Sequence, residues 1–177
     1  MSKIFLIGFM GSGKTTVGKQ LASILHYDFI DLDEYIESKE QSTISNLFEV
    51  KGESYFREKE SYYLKSLDAM ERLVLSTGGG TPCFFDNMDW MNANGTTVYL
   101  KAVPKLLADR LKKEREHRPL LKGKSDTEVI DFIHDKLMER EIFYLSAKVI
   151  AEAVSLNGKK LHHELKTRNV IDDELPQ

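Results

Sequence analysis

Short apolar runs alternate along the chain with longer segments in which apolar residues recur every three or four positions. The short runs predict five β-strands, at Lys3–Ile7, Phe29–Leu32, Leu73–Leu75, Thr96–Leu100 and Lys148–Ala151. The longer segments predict helices at Lys14–Leu25, Thr43–Val50, Glu53–Leu67, Pro104–Lys113, Ser125–Leu145 and Gly158–Thr167. Strands separated by helices favour a parallel sheet that is covered on both faces, which is an α/β fold.

Two segments interrupt this alternation. Asp33–Leu67 is longer than a single crossover helix requires, and Lys112–Lys124 is charged and resembles a loop. Both are expected to be accessory lobes of one domain that spans residues 1–177, since a chain of 177 residues suits one domain. The polar segment Asp172–Gln177 is expected to be a frayed tail.

The composition excludes several classes of protein. Hydrophobic residues make up 41% and charged residues 30%, which argues against extended disorder, collagen and coiled coils. The net charge of −3 provides no basic field for nucleic acid or for an anionic membrane. Cys83 is the only cysteine, and only four apolar residues follow Lys3, so neither an internal disulfide nor an export signal is predicted. We expect a cytoplasmic monomer without a membrane or nucleic-acid partner.

The strongest chemical signal is Gly8-Phe9-Met10-Gly11-Ser12-Gly13-Lys14-Thr15, which we call the phosphate loop. Its glycines allow the backbone to curl so that successive N–H groups point at phosphates, and the helix that follows adds its positive end. Lys14 can reach the β- and γ-phosphates, and the Thr15 hydroxyl can ligate Mg²⁺. The loop therefore predicts a nucleoside triphosphate with Mg²⁺, and ATP is the expected nucleotide because no N-K-x-D sequence for guanine occurs.

Acidic residues at the end of the second predicted strand suit phosphoryl transfer. Asp31 and Asp33 would share one side of an extended strand, at the edge where α/β sheets bind ligands. One carboxylate can serve the metal while the other accepts a proton from the attacking hydroxyl. The alternative is a strand-end turn in which Asp33 caps a helix. The strand Leu73–Leu75 ends in Ser76 rather than in an aspartate, so a carboxylate for the metal must come from elsewhere, or Ser76 must act through water.

Three further features suggest an anionic ligand. Glu53, Arg57 and Glu60 share one helix face, either as a solvated ladder of ion pairs or with Glu60 orienting Arg57 toward an anion. The run Gly78-Gly79-Gly80 either makes a tight connection or lets backbone amides approach a ligand closely. Arg118, within the basic loop Lys112–Lys124, is either solvated or carried by a lid onto the transferring phosphates.

Together these segments resemble shikimate kinase. The similarity covers residues 3 to 145 in order, and the segments that carry it are the phosphate loop, Phe29–Asp33, Gly52–Glu60, Ser76–Gly80 and Arg118–Leu121. The resemblance implies a three-layer P-loop kinase fold with a five-stranded parallel sheet, a substrate-binding lobe at 33–67 and a mobile lid at 112–124. It also implies transfer of the γ-phosphoryl group of ATP to the 3-hydroxyl of shikimate, in the route to chorismate and the aromatic amino acids.

The same resemblance implies roles for individual residues. Asp33 would bind the substrate hydroxyls and act as the base, with Lys14 and Arg118 stabilising the transferring charge. The carboxylate of shikimate would be bound by Arg57, Gly79, Gly80 and Arg140. ATP would be bound by Gly11, Ser12, Gly13, Lys14, Thr15, Thr16, Arg110, Arg118 and Asn157. Magnesium would be ligated by Thr15, with Asp31 and Ser76 acting through water.

Two other functions remain open at this point. A kinase for another small hydroxy acid, such as gluconate, would use the same loop, lid and aspartate, and it would differ in the pocket of arginines and glycines. A nucleotide-sensing module without transfer chemistry would keep Gly8–Thr15 but would need neither Asp33 nor an arginine on a lid.

Overall fold

The computed structural model describes residues 2–112, 121 and 123–171, and it contains the expected parallel sheet. The strands are β1 (Ser2–Ile7), β2 (Asp28–Asp31), β3 (Arg72–Ser76), β4 (Thr96–Lys101) and β5 (Val149–Glu152). Their order across the sheet is β2-β3-β1-β4-β5, and every neighbouring pair is parallel. All five predicted strands are confirmed to within one residue at either end.

Seven helices surround the sheet in the described part of the chain. They are α1 (Lys14–Leu25), α2 (Leu32–Glu40), α3 (Ile44–Ser66), α4 (Asn87–Asn94), α5 (Pro104–Leu111), α6 (Asp126–Tyr144) and α7 (Gly158–Thr167), with a 3₁₀ turn at Thr81–Cys83. The predicted bounds of α1 and α7 are confirmed. Ser125 caps α6 in a capping box with Glu128, which the spacing of these two residues predicts. None of the described helices has both the length and the apolar character of a membrane span.

Helix α3 is interrupted where the sequence predicts a break. Gly52 has φ 82° and ψ 167°, a backbone conformation outside the helical region that residues with a side chain rarely adopt. The two predicted helices on either side of Lys51–Gly52 are therefore present as two parts of one bent element. Leu47 from the first part and Phe56 from the second lie in the same core as Leu32 and Ile36 of α2.

Two helices were not predicted from the apolar pattern. Leu32, which was assigned to the end of the second strand, is instead the first residue of α2, and α4 follows the 3₁₀ turn. The cap of α2 is Asp31, whose carboxylate accepts a hydrogen bond from the Asp33 amide at 3.1 Å. The alternative in which Asp33 itself caps this helix is therefore wrong, and Asp33 lies in the first turn.

Side chains of β1 alternate between two cores. Ile4 and Leu6 lie in a core that includes buried residues of α1, α5, α6 and α7. Phe5 and Ile7 lie in a second core with buried residues of α2, α3 and α4. Because successive strand residues point to opposite faces of a sheet, this division confirms three layers. The carboxyl ends of the parallel strands meet at one edge of the sheet, and the candidate site lies there.

Candidate active site

A cleft of about 470 Å³ lies at the carboxyl edge of the sheet. Its walls come from the phosphate loop, from Asp31 and Asp33 where β2 passes into α2, from Ser76–Gly79 at the end of β3, and from Arg110 on α5. The described structure thus brings together most of the residues that the sequence singled out. Thr16 also lines the cleft, on the first turn of α1.

The phosphate loop has the backbone conformation that its glycines allow. Gly8 and Gly13 have φ of 140° and 98°, and Gly13 is the residue that precedes α1. A β-carbon on Gly8 would lie 2.9 Å from the carbonyl oxygen of Leu100, so only glycine fits there without a shift. The loop can therefore curl around a group placed at the N-terminus of α1, where the helix dipole favours an anion.

Two polar side chains in the phosphate loop fit a phosphate ligand. The Lys14 ammonium donates to the carbonyl oxygens of Gly8 at 2.8 Å and Phe9 at 3.0 Å, which holds this charge beside the cleft. The Ser12 side chain is buried, and its hydroxyl has no hydrogen-bond partner in the described part of the chain. A buried hydroxyl normally has a partner, so this orphaned group indicates a ligand.

The groups that suit a magnesium ion lie together at the next strand. The Thr15 hydroxyl donates to Asp31 Oδ2 at 2.7 Å, and Asp31 is paired in register with the buried Ser76 of β3. A hydroxyl and a carboxylate are oxygen ligands of the kind that Mg²⁺ takes, and Mg²⁺ keeps several waters beside a few protein ligands. The three residues predicted for the metal therefore share one corner of the cleft.

Asp33 reaches the cleft from the first turn of α2. It does not share an extended strand with Asp31, so the predicted placement of both residues on one side of a strand is wrong, although both line the cleft. Burial is the largest cause that raises the pKa of Asp33 to about 7, followed by the neighbouring charges of Glu60 and Asp31, against the opposing effect of Lys14. A carboxyl with this pKa can exchange a proton near neutral pH, as a general base does.

Arg57 lies on α3 in a buried ion pair. Its Nη1 donates to Glu60 Oε2 at 3.0 Å, and its Nε and Nη2 each donate to Glu53 Oε1 at 3.1 Å. The Glu60 side chain is 1% exposed and that of Arg57 is 11% exposed, so a solvated ladder does not describe this pair. Glu60 also accepts a hydrogen bond from the Thr81 hydroxyl at 2.6 Å. Glu60 therefore orients the Arg57 guanidinium, as one of the two interpretations of this motif predicts.

The glycine run after β3 is surrounded by charged side chains. A β-carbon on Gly78 would lie 2.8 Å from Glu60 Oε1 and 2.9 Å from Asp33 Oδ1. One on Gly79 would lie 3.3 Å from Arg140 Nη1, and one on Gly80 would lie 2.8 Å from both terminal nitrogens of Arg57. Glycine therefore allows close approach of the backbone to four charged side chains, and binding of a ligand by this run stays a prediction.

Three further residues were predicted to bind the nucleotide: Arg110, Asn157 and Arg118. Arg110 donates to the carbonyl oxygens of Gly11 at 3.2 Å, Ser12 at 3.1 Å and Ala153 at 2.9 Å, so it joins the phosphate loop to the segment after β5 at the rim of the cleft. Asn157 caps α7 through the Lys160 amide and does not line the cleft. Arg118 lies outside the described residues, as does most of the predicted lid.

Three residues at the site were missed by the sequence analysis. Thr81 contacts Glu60, the ring of Phe84 lies 4.2 Å from the guanidinium carbon of Arg57, and the Tyr144 hydroxyl donates to the Gly79 carbonyl. Thr81 follows the glycine run directly and Phe84 lies four positions after Gly80, so closeness to this run is the signal that could have found them. Cys83 lies between them, and burial raises the pKa of its thiol to about 11, which disfavours the reactive thiolate at neutral pH.

Comparison with known proteins identifies relatives that are described as shikimate kinases. A family model described as shikimate kinase matches residues 10–168. The shikimate kinase of Bacteroides fragilis is 51% identical over 159 residues, which cover 90% of this chain and 89% of that protein. The crystal structure of shikimate kinase from Bacteroides thetaiotaomicron is 43% identical, with a TM-score of 0.89 over 93% of this chain and 98% of that one.

Two other solved structures represent the two kinds of kinase that the sequence left open. Shikimate kinase from Acinetobacter baumannii in complex with shikimate is 33% identical, with a TM-score of 0.86 over 97% of this chain and 96% of that chain. A gluconokinase from Sinorhizobium meliloti is 16% identical, with a TM-score of 0.55 over 96% of this chain and 93% of that chain. The similarity to the gluconokinase extends to the fold alone.

Proposed function

The chain belongs to the shikimate kinase family, and from this premise we propose which of its residues bind the substrates and carry out the reaction. The enzyme is an ATP-dependent kinase that phosphorylates a hydroxyl group of shikimate. We assign the 3-hydroxyl as the acceptor, which gives shikimate 3-phosphate and ADP on the route to chorismate and the aromatic amino acids. The family assignment replaces the two other functions considered from the sequence, which were a kinase for gluconate and a nucleotide-sensing module.

The observation that carries the assignment of roles is the position of Asp33. Its carboxyl lines the same cleft as Lys14, and it lies against Gly78, next to the two glycines that face Arg140 and Arg57. An alcohol bound there would have a proton acceptor beside it and a phosphate site within the same cleft. The raised pKa of Asp33 supports its role as the base, because a proton acceptor is most effective when its pKa is near the working pH.

At phosphorus, the reaction forms one bond and breaks one. The 3-hydroxyl oxygen of shikimate bonds to the γ-phosphorus of ATP, the bond from that phosphorus to the bridging oxygen breaks, and ADP leaves. Asp33 takes the proton of the attacking hydroxyl. Lys14 stabilises the negative charge on the transferring group, because a fixed cation beside developing charge lowers the barrier. Arg118 is proposed for the same task from the sequence alone.

ATP is proposed to bind through Gly11, Ser12, Gly13, Lys14, Thr15 and Thr16. The positive φ of Gly13, the orphaned Ser12 hydroxyl and the start of α1 support this assignment. Arg110 is proposed for the nucleotide because it lines the cleft and contacts the phosphate loop, whereas Asn157 has the least support, since it caps α7 outside the cleft. When Mg²⁺ is bound, it neutralises phosphate charge, and Thr15, Asp31 and Ser76 are proposed to hold it.

Shikimate is proposed to bind through its carboxylate to Arg57, Arg140 and the amides of Gly79 and Gly80. The ion pair between Arg57 and Glu60 supports this role, because a guanidinium held in one orientation can meet a carboxylate with two parallel hydrogen bonds. The lobe at 33–67 and the lid at 112–124 remain proposals, as do the monomeric state and the cytoplasmic location, and the predicted tail at 172–177 lies outside the described residues.

A coupled assay tests the proposed function. With Mg-ATP present, ADP should form only after shikimate is added, and gluconate should not replace it. Phosphorus NMR of the product should report a phosphate ester on the 3-oxygen. ADP formation that is independent of shikimate, or a phosphate on another hydroxyl, would contradict the assignment.

A further inference from the structure

The peptide group that joins Gly79 to Gly80 lies between two arginines. Gly79 faces the Arg140 guanidinium and Gly80 faces that of Arg57. An N–H group directed at a ligand held by these arginines adds a hydrogen bond to a carboxylate, whereas a carbonyl oxygen in its place repels that carboxylate. Glycines impose no side-chain restriction on the rotation of this peptide, so its orientation must be set by other groups.

The three carbonyl oxygens of the glycine run are held in different ways. Those of Gly78 and Gly80 accept hydrogen bonds from backbone amides in the following turn, from Thr81 at 3.2 Å and Cys83 at 2.8 Å. The carbonyl oxygen of Gly79 accepts from a side chain, the Tyr144 hydroxyl, at 2.5 Å. Residue 144 is 65 positions away in the sequence, so this contact depends on the packing of α6 against the loop after β3.

Tyr144 is well placed to act as a fixed donor. It is fully buried, and its ring packs on that of Tyr99 with 5.0 Å between the ring centroids. Burial raises the pKa of its hydroxyl above the usual value, which keeps the group protonated. It also follows Arg140 by one helical turn on α6, and its hydroxyl interacts with the Arg140 side chain, so a single helix holds both the arginine and the glycine loop.

We propose that Tyr144 is a positioning residue for shikimate, which holds the Gly79 carbonyl so that the Gly80 N–H is directed at the substrate carboxylate. The described chain contains no cis peptide bond, and in a planar trans peptide the N–H points opposite to the C=O. A hydrogen bond to the carbonyl oxygen of Gly79 therefore also fixes the direction of the Gly80 N–H. The proposal rests on the proposed function, which assigns the carboxylate to this pocket.

The test compares Tyr144→Phe with Tyr99→Phe. Each change removes one hydroxyl and keeps the ring, and the two rings are neighbours, but only the Tyr144 hydroxyl contacts Gly79. We expect Tyr144→Phe to raise KM for shikimate roughly tenfold, the effect of one weakened hydrogen bond to a charged group. KM for ATP and kcat should stay near their original values. Tyr99→Phe should leave all three constants near those of the unaltered enzyme.

A second substrate separates positioning from a general loss of structure. With an analogue whose carboxylate is replaced by a hydroxymethyl group, the difference in kcat/KM between Tyr144→Phe and the unaltered enzyme should largely disappear. An unchanged KM for shikimate in an active Tyr144→Phe enzyme would overturn the proposal, and so would parallel losses in shikimate binding, ATP binding and Tm. An unaltered enzyme that does not phosphorylate shikimate would instead reject the proposed function, and the inference with it.

Discussion

Asp33 and Glu60 direct carboxylate oxygens at the same glycine, since both lie within 2.9 Å of the position that a Gly78 β-carbon would occupy. Each charge disfavours the ionisation of the other in a cleft where water is partly excluded. Glu60 has Arg57 and the Thr81 hydroxyl as partners that favour its charged form, although burial still raises its pKa. Asp33 is left as the group that takes up a proton near neutral pH.

The activity should therefore fall on the acidic side of neutrality. With saturating Mg-ATP, kcat/KM for shikimate should decrease as the pH drops through about 7, because protonated Asp33 cannot accept the proton of the substrate hydroxyl. A pH–rate profile measures this midpoint. In Glu60→Gln the midpoint should move to lower pH, since a charge that raises the pKa of Asp33 is removed. A midpoint near 4 in the unaltered enzyme would contradict the raised pKa.

Replacement of Asp33 by asparagine should separate stability from activity. The pKa of this carboxyl is raised from 3.8 to about 7 in the folded protein, so its contribution to stability is fully present below about 4 and is lost as the pH rises through about 7. Asparagine stays neutral, so Asp33→Asn should become more stable relative to the unaltered enzyme as the pH rises from 5 to 8. Urea unfolding at these two pH values measures the difference.

The same variant should lose turnover while it keeps ADP binding, which calorimetry can measure. Asp135→Asn is the control, because the Asp135 side chain is 77% exposed and does not line the cleft. Near-normal kcat in Asp33→Asn would remove Asp33 as the base. A pH-independent difference in stability would show that its carboxyl titrates normally.

Arg57→Ala should weaken shikimate binding strongly. We expect KM for shikimate to rise roughly 10- to 100-fold, the effect of a lost hydrogen bond between charged groups, while KM for ATP changes little. The variant should also be less stable, because Glu60 loses its buried partner, at a cost of about 3–5 kcal/mol in comparable pairs. Arg168→Ala, which breaks an exposed pair with Glu164, is the control for both measurements. An unchanged KM for shikimate would assign Arg57 to structure alone.

Thr15→Val should raise the concentration of Mg²⁺ needed for half-maximal activity and lower kcat. The valine keeps the shape of threonine but removes the hydroxyl that contacts Asp31 and that we assign to the metal. A Mg²⁺ titration at fixed ATP measures the effect, and Thr15→Ser, which keeps the hydroxyl, should behave much like the unaltered enzyme. Activity in excess EDTA, or a Thr15→Val enzyme with normal Mg²⁺ dependence, would contradict the assignment.

The parts of the fold that depend on local patterns could be predicted from the sequence. Five strands, the phosphate loop, the limits of α1 and the break at Gly52 follow from residues that are neighbours in the chain. Helix α2 was missed because it begins directly at the end of β2, where the apolar run continues into Leu32. Its cap, Asp31, also contacts Thr15, so one side chain serves both the fold and the site.

The sequence by itself predicted a phosphate-binding loop at Gly8–Thr15 and acidic groups at the end of the second strand, because short motifs contain their own geometry. Only the tertiary structure decided that Arg57 and Glu60 form a buried pair rather than a solvated one, and that Tyr144 holds the carbonyl of Gly79. Burial and contacts between distant segments depend on how helices pack on the sheet, and no spacing within a single helix specifies them.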